Sequence, residues 1–321
     1  MKKIGLIAGA DKNFLKDVIE AINSSKRRIK AEMLVLDALK LDDKSEYSVI
    51  YDRISYKVPF YKNYLKQVFT NGTKVINNPF VCHDNNSFIY SLIANKAGIL
   101  TPKSALLPSK DLPSNTSPET FHNLHYPLDW DSVFDYIGFP AYLKSNNCFN
   151  YVHAFKIYNS SEFFAAYDLT GRNTMNLVES INYDIYYKVM IIGSDILVFE
   201  YDPNKPIHLR YGKMIVDTNS AFFSKIKITS FKLSDILGIT INSLEFGIKD
   251  EQIYLTSSFE PAPMIEKEYF EPAIYSNIVT LTADYLCGIA LGETTEINSI
   301  SSIKVKKVTE KKTKKNDEKK K

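Results

Sequence analysis

The chain has 321 residues, 45% hydrophobic and 24% charged, with an aromatic share of 13% drawn from 21 Tyr and 19 Phe against one Trp; this is a folded composition with room for a large core shared by two or three lobes, not a disordered or fibrous one. The formal charge of +3 is uneven, because residues 304–321 carry ten Lys against Glu310, Asp317 and Glu318 and leave the preceding body at about −4. A basic nucleic-acid or membrane surface on the body is therefore not expected, and any weak affinity of that kind falls to the Lys-rich tail, whose KKTKKNDEKKK run predicts disorder.

The opening MKKIGLIAGADKNF has an apolar run too short for a signal segment, cut by Asp11 and Lys12, and KIGLIAG reads as a first strand. FLKDVIEAINSS follows as an amphipathic helix, and AEMLVLDAL and YSVIYDRI as strands. PFYKNYLKQVFTNGT is a helix stopped by Asn71-Gly72, and TKVINN a further strand. Alternation of strand and helix with short turns predicts a parallel, doubly wound α/β domain over residues 1–80. Residues 86–97 read as a helix ending at Gly98, TPKSALLPS as a strand, and KDLPSNTSPETFHNLHYPLDW as the longest irregular segment.

Helix DSVFDYI, strands PAYLKS and YVHAFKIY, helix SSEFFAAYDLTG, and strands MNLVESI, DIYYKVMIIG and ILVFEYD come next. The chain then gives helix-like FKLSDILG, the hairpin INSLEFGIKDEQIYLTSS turning at Lys249-Asp250-Glu251, and a last helix from about Pro272 to Gly292. These predict two α+β lobes, residues 81–190 and 191–303, before a basic tail at 304–321. No apolar stretch is expected to span a bilayer, since YSNIVTLTADYLCGIALG carries Asp284 and many hydroxyls. Cys82, Cys148 and Cys287 are scattered without metal-ligand spacing, which fits a reducing, cytoplasmic setting. His122 and His125 read as surface residues of a loop, and neighbouring Cys82 and His83 point to opposite faces of a strand.

Taken in order, DRISYKVPFYKNYLK, GTKVINNPF, AGILTPKSALLPS, IGFPAYLK, SSEFFAAYDLTG, YYKVMIIGSDILVFEYDP, HLRYG, LEFGIKDEQIYL and EPAP resemble the ATP-grasp superfamily over most of residues 48–265. The likeness is nearest to carboxylate-amine ligases of the glutathione-synthetase and ribosomal-protein glutamate ligase type. It implies ATP clamped between two α+β lobes behind a doubly wound N-terminal domain. It further implies ATP and Mg²⁺ as cofactors, and a small-molecule or peptide carboxylate that is phosphorylated and then attacked by an amine.

The resemblance places Lys144 where a strand-end lysine reaches the α- and β-phosphates, although a solvent lysine at a strand end reads the same way. It places Glu179 at the adenine hinge and Lys188 where an Arg or Lys follows on the next strand; equally, these two read as a cross-strand ion pair. Arg210, flanked by His208 and Tyr211, stands where a catalytic arginine contacts the phosphates. Glu245 is the first metal carboxylate. Glu260 stands where an Asn precedes PAP, with Ser257 or Ser258 in place of the second acid, so Glu245 and Glu260 are either a rearranged Mg²⁺ pair or a metal remnant beside a structural Glu260.

Three departures address the same triphosphate. Asn86-Ser87 replaces an Asp-Lys pair, Ser145 to Asn150 replaces a proline and a glycine run, and the metal acids are rearranged. Phe149 brings a ring and a Cβ where backbone would lie against phosphate. The expectation is an ATP-grasp-like protein with impaired or altered ATP and Mg²⁺ chemistry, a non-catalytic or divergent relative that binds a metabolite or a protein partner. The alternative is an active ATP-dependent ligase forming C–N bonds through an acyl phosphate.

Overall fold

The computed structural model describes residues 1–9, 12–81, 86–147, 154–257 and 260–294. The expectations attached to Cys82, His83, Cys148, Phe149, Asn150, Ser258 and the tail at 304–321 lie outside the described residues.

Strands β1 (Lys2–Ile7), β2 (Ile29–Met33), β3 (Val49–Asp52) and β4 (Lys74–Val75) form a parallel sheet in the order β2-β1-β3-β4. Side-chain alternation along β1 decides what covers each face. Ile4 and Leu6 share a core with Phe14, Leu15, Val18 and Ile22 of α1 (Lys12–Ser24), whose spacing puts them on one helical stripe. Ile7 and Ile50 face the other way, onto Tyr64, Leu65 and Val68 of α2 (Pro59–Thr70). α2 opens on a proline, where no N–H is needed, and stops before Gly72 at φ +91°.

After α3 (Ser87–Lys96) comes β5 (Ser104–Leu107), then α4 (Trp130–Ile137), β6 (Ala141–Ser145), β7 (Ala154–Ile157), α5 (Ser160–Asp168) and β8 (Met175–Glu179). The four strands make an antiparallel sheet in the order β5-β8-β6-β7. Leu107, Ala141, Leu143, Ile157 and Leu177 bury one face under α4 and α5. Phe134 and Phe163 pack edge to face there, with ring centroids 5.0 Å apart. Tyr142 and Lys144, opposite Val178 and Asn176 in register, project from the other face.

The third sheet uses β9 (Ile185–Ile192), β10 (Asp195–Tyr201), β11 (Tyr211–Met214), β12 (Ile241–Lys249) and β13 (Gln252–Ser257), antiparallel in the order β11-β10-β9-β12-β13. β9 pairs along its whole length within this sheet, so the strand that the 190/191 division cuts goes with the C-terminal elements. The β12–β13 turn falls at Asp250 and Glu251, both at positive φ (48° and 60°), the twist that a two-residue hairpin loop requires.

α6 (Ala221–Leu237) covers Val189, Ile191, Leu244 and Phe246. It is longer than FKLSDILG, because Ser220 caps its start by accepting the Phe223 N–H at 3.2 Å. The opposite face, with Met190, Ile192 and Phe199, meets α7 (Pro272–Leu291), which returns to pack on α1 and β1. α7 corrects the expectation for apolar stretches: it is the one helix among the described residues long and apolar enough to cross a bilayer by length and composition. Its apolar window is 61% buried inside the fold, and Asp284 pairs with Arg27 at 2.9 Å.

Candidate functional site

Tyr142, on the uncovered face of the second sheet, comes near Tyr186 on the face of the third sheet opposite α6. Burial raises the Tyr186 phenol pKa, and Tyr142 from the other lobe adds to that rise, which marks the two as neighbours across the cleft. At the hinge end the Tyr183 ring lies on the third sheet over Gly247, packed edge-on to Tyr186 at 5.3 Å and tilted against Tyr254 at 5.8 Å. A Cβ at Gly247 would stand 2.4 Å from that ring, so only glycine admits Tyr183 there.

Lys188 is the centre of the site. It projects from the middle strand of five, is 4% exposed, and its Nζ donates to Glu245 Oε1 at 2.7 Å and Glu260 Oε2 at 2.5 Å. Glu245 is its direct cross-strand partner on β12. The Tyr201 ring lies 5.3 Å from the ammonium. Burial lowers the Lys188 pKa, but Glu245 and then Glu260 outweigh it and hold the group well above the ordinary lysine value.

The alternative pairing of Glu179 with Lys188 is thereby corrected, since β8 and β9 belong to different sheets. Glu179 instead binds its own lobe: its Oε2 accepts the Lys103 N–H at 3.0 Å, and its N–H donates to Lys103 O at 2.9 Å.

Of the other residues singled out, Lys144 is half-buried on β6, three positions along from the register partner of Glu179. Arg210 donates through Nε to Lys205 O at 2.9 Å, and its guanidinium opposes the rise that burial gives the Tyr201 phenol pKa. It therefore reaches Lys188 through one ring. Ser257 stands opposite Glu245 on β13. His122 and His125 are exposed.

The ions implied by the fold can be tested against these groups. Mg²⁺ demands near-octahedral oxygen ligands. Here both carboxylates already accept from one ammonium, and among the described residues no group of three His, Cys, Asp or Glu could hold a metal. With the Lys188 ammonium held between them, these two carboxylates do not fit Mg²⁺.

The segments around Asn86-Ser87 and Asn146 bond to each other. Asn146 O accepts the Ser87 N–H at 3.0 Å, Asn146 Oδ1 accepts the Phe88 N–H at 3.1 Å, and Asn86 Oδ1 accepts the Ile89 N–H at 3.1 Å. Asn176, 2% exposed, donates to Ser87 Oγ at 2.7 Å and Asn146 Oδ1 at 3.0 Å. The first-turn donors of α3 are thus satisfied by protein.

Three residues were not foreseen. Asn242 Oδ1 accepts the Glu260 N–H at 2.8 Å and fixes that segment beside β12. Buried Arg53 donates to Pro263 O and to Tyr51 Oη. Asn77 joins the N-terminal domain to β12 by accepting from Thr240 N–H at 2.9 Å. Their one sequence signal was position: Arg53 lies in DRISYKV, Asn77 in INNPF, and Asn242 just ahead of LEFGIKDEQIYL.

No known sequence family matches the chain, and no curated protein matches it by sequence. Solved structures do. An ATP-grasp protein with a RimK domain from Sphaerobacter thermophilus superposes with a TM-score of 0.63 at 12% identity, covering 88% of this chain and 99% of its own. D-alanine–D-alanine ligase from Bacillus anthracis, complexed with ATP, gives 0.61 at 13% identity and covers 91% and 98%. A RiPP-associated ATP-grasp ligase from Chryseobacterium gregarium, with ADP and a leader and core peptide, gives 0.59 at 14% identity and covers 93% and 99%. The chain has the fold of the ATP-grasp superfamily.

Proposed function

We propose that this chain is a non-catalytic or divergent relative of the carboxylate-amine ligases, with impaired or altered ATP and Mg²⁺ chemistry. The observation that carries the reading is the bonding of Asn146 to Ser87 and Phe88. A helix N-terminus attracts anions through its free N–H groups. At α3 those groups already donate to Asn86 and Asn146, at the positions where the family keeps a phosphate-neutralising pair and a glycine loop. Two independent losses that complete one another are more economical as a changed use of the cleft than as drift.

The second reading is an active ligase. It is favoured by the placement of Lys188 and Arg210 around Tyr201, with Lys144 on the sheet across the cleft. Lys144, Glu179, Lys188 and Arg210 would hold ATP, Arg210 would meet developing phosphate charge, and Glu245 with Glu260 would hold the metal. The acceptor would be a small-molecule or peptide carboxylate, peptides being favoured by the leader and core peptide bound to the Chryseobacterium gregarium ligase.

The test is ADP release and thermal unfolding with millimolar Mg²⁺-ATP, amines, and carboxylic acids that include peptides. No ADP and no shift in Tm are expected. A Mg²⁺-dependent rise in Tm abolished by Lys144→Ala, with ADP release lost in Glu245→Gln, would sink the proposal in favour of the ligase.

A further inference from the structure

Glu245 and Glu260 are brought together by the backbone, not by the lysine between them. Glu245 belongs to β12 itself. Glu260 is tied to the same strand twice, its N–H donating to Asn242 Oδ1 at 2.8 Å and its carbonyl accepting the Ser243 N–H at 2.9 Å. Two carboxylates from separate segments thus converge on one point, and the Lys188 Nζ stands at that point. The ammonium is enclosed: 4% exposed, on the central strand, with Phe199 and Glu245 as cross-strand neighbours and the Tyr201 ring 5.3 Å away.

A divalent ion drawn to the same carboxylates would have to share their oxygens with a positive charge at contact distance. In a water-poor setting that repulsion is large. The buried ammonium lies between two half-buried carboxylates and beside the Tyr201 ring, so leaving that position would strip it of both partners. Whatever cationic role the position has is filled by a covalently attached, monovalent group.

We infer that Lys188 is a resident cation that excludes divalent metal from Glu245 and Glu260, so that an anionic ligand in this cleft meets an ammonium and not a metal. The inference rests on the reading that the cleft does not run Mg²⁺-dependent ATP chemistry, and it adds the group responsible. It has a positive corollary: removing the ammonium uncovers a divalent-cation site on carboxylates that β12 already holds in place.

The probe is Mn²⁺ alone, without nucleotide, added to the full chain as wild type, Lys188→Met, Glu245→Gln and the double variant Lys188→Met/Glu245→Gln. Free Mn²⁺ is read by electron paramagnetic resonance and Tm by calorimetry. The wild type is expected to leave Mn²⁺ free into the low millimolar range with Tm unmoved. Lys188→Met should bind Mn²⁺ with a Kd at least about tenfold lower, show a lowered Tm that Mn²⁺ raises, and lose both effects when Glu245→Gln is added.

If Lys188→Met folds only when Mn²⁺ is present during refolding, that also supports the inference. Mn²⁺ binding by the wild type that disappears in Glu245→Gln overturns it, as does a folded Lys188→Met that takes up no Mn²⁺. ADP release by a wild type that leaves Mn²⁺ free would sink the non-catalytic reading and leave this inference standing. Mn²⁺ capture without ADP release would do the reverse.

Discussion

The side-chain oxygen of Asn146 accepts the backbone N–H of Phe88 at 3.1 Å, across 58 residues of sequence. A residue after β6 therefore caps a helix that precedes β5. Loss of such a cap costs about 1 kcal/mol, and a buried amide left without a partner, as Asn176 would be in part, costs about 1–3 kcal/mol. Asn146→Ala should lower Tm by several degrees and speed amide exchange at Phe88. Asn146→Asp, which keeps the acceptor, should not. Equal protection of Phe88 in wild type and Asn146→Ala would show that the cap carries no stability.

Asn77 sits at φ +64°, with Oδ1 accepting from Thr240 N–H at 2.9 Å and Ile241 N–H at 3.1 Å, and Nδ2 donating to Ile241 O at 2.7 Å. Glycine at this position would keep the backbone and lose the bonds. Alanine would lose the bonds and add about 1–2 kcal/mol for the left-handed conformation. Chemical denaturation should rank the wild type above Asn77→Gly and Asn77→Gly above Asn77→Ala; a reversed order of the two variants would contradict the account.

Gly247→Ala would drive a Cβ to 2.4 Å from the Tyr183 ring. Overpacking of this kind costs about 1–3 kcal/mol. Adding Tyr183→Ala should recover part of the loss, so the two changes are expected to be non-additive in a double-mutant cycle. Simple additivity would mean that the ring does not sit over the glycine in solution.

Burial holds the Asp52 carboxyl above its ordinary pKa, against the opposing donors Ser55 Oγ–H and the N–H groups of Ile54 and Ser55. A raised native pKa means that the stability Asp52 contributes is complete below about 3.9, its unfolded value, and is lost as pH rises through the native value. Asp52→Asn keeps an acceptor without the charge. Its Tm relative to wild type should climb with pH across that window and then level off. A difference that falls with rising pH would reverse the sign of the argument.

Much of the architecture was legible because it is local. The alternation of KIGLIAG with FLKDVIEAINSS carries the parallel sheet, and LEFGIKDEQIYL carries its hairpin and turn. The site was legible as a set of residues but not as a set of partners. Glu179 and Lys188 lie on consecutive strands, and nearness in sequence favoured pairing them. The chain, however, places those strands in different sheets and inserts β12 beside β9, which gives Lys188 to Glu245, 57 residues away. Glu260 depends on Asn242, whose role is a side-chain acceptor for a loop and leaves no period or motif. Likewise, Asn86-Ser87 and Asn146 were visible as departures around one phosphate position. That they bond each other is set by the β6–β8 register and the α3 start, neither of which periodicity reports.

The return of α7 to the first sheet separates the order of synthesis from the order of folding. Ile4 and Leu6 are translated long before Ile278, Leu286 and Ile289, yet all of them enter one core. Until those residues emerge, the nascent chain carries an uncovered apolar face. Nonsense mutations upstream of Pro272 would accordingly be lesions of the N-terminal domain, although every residue of its sheet would still be encoded.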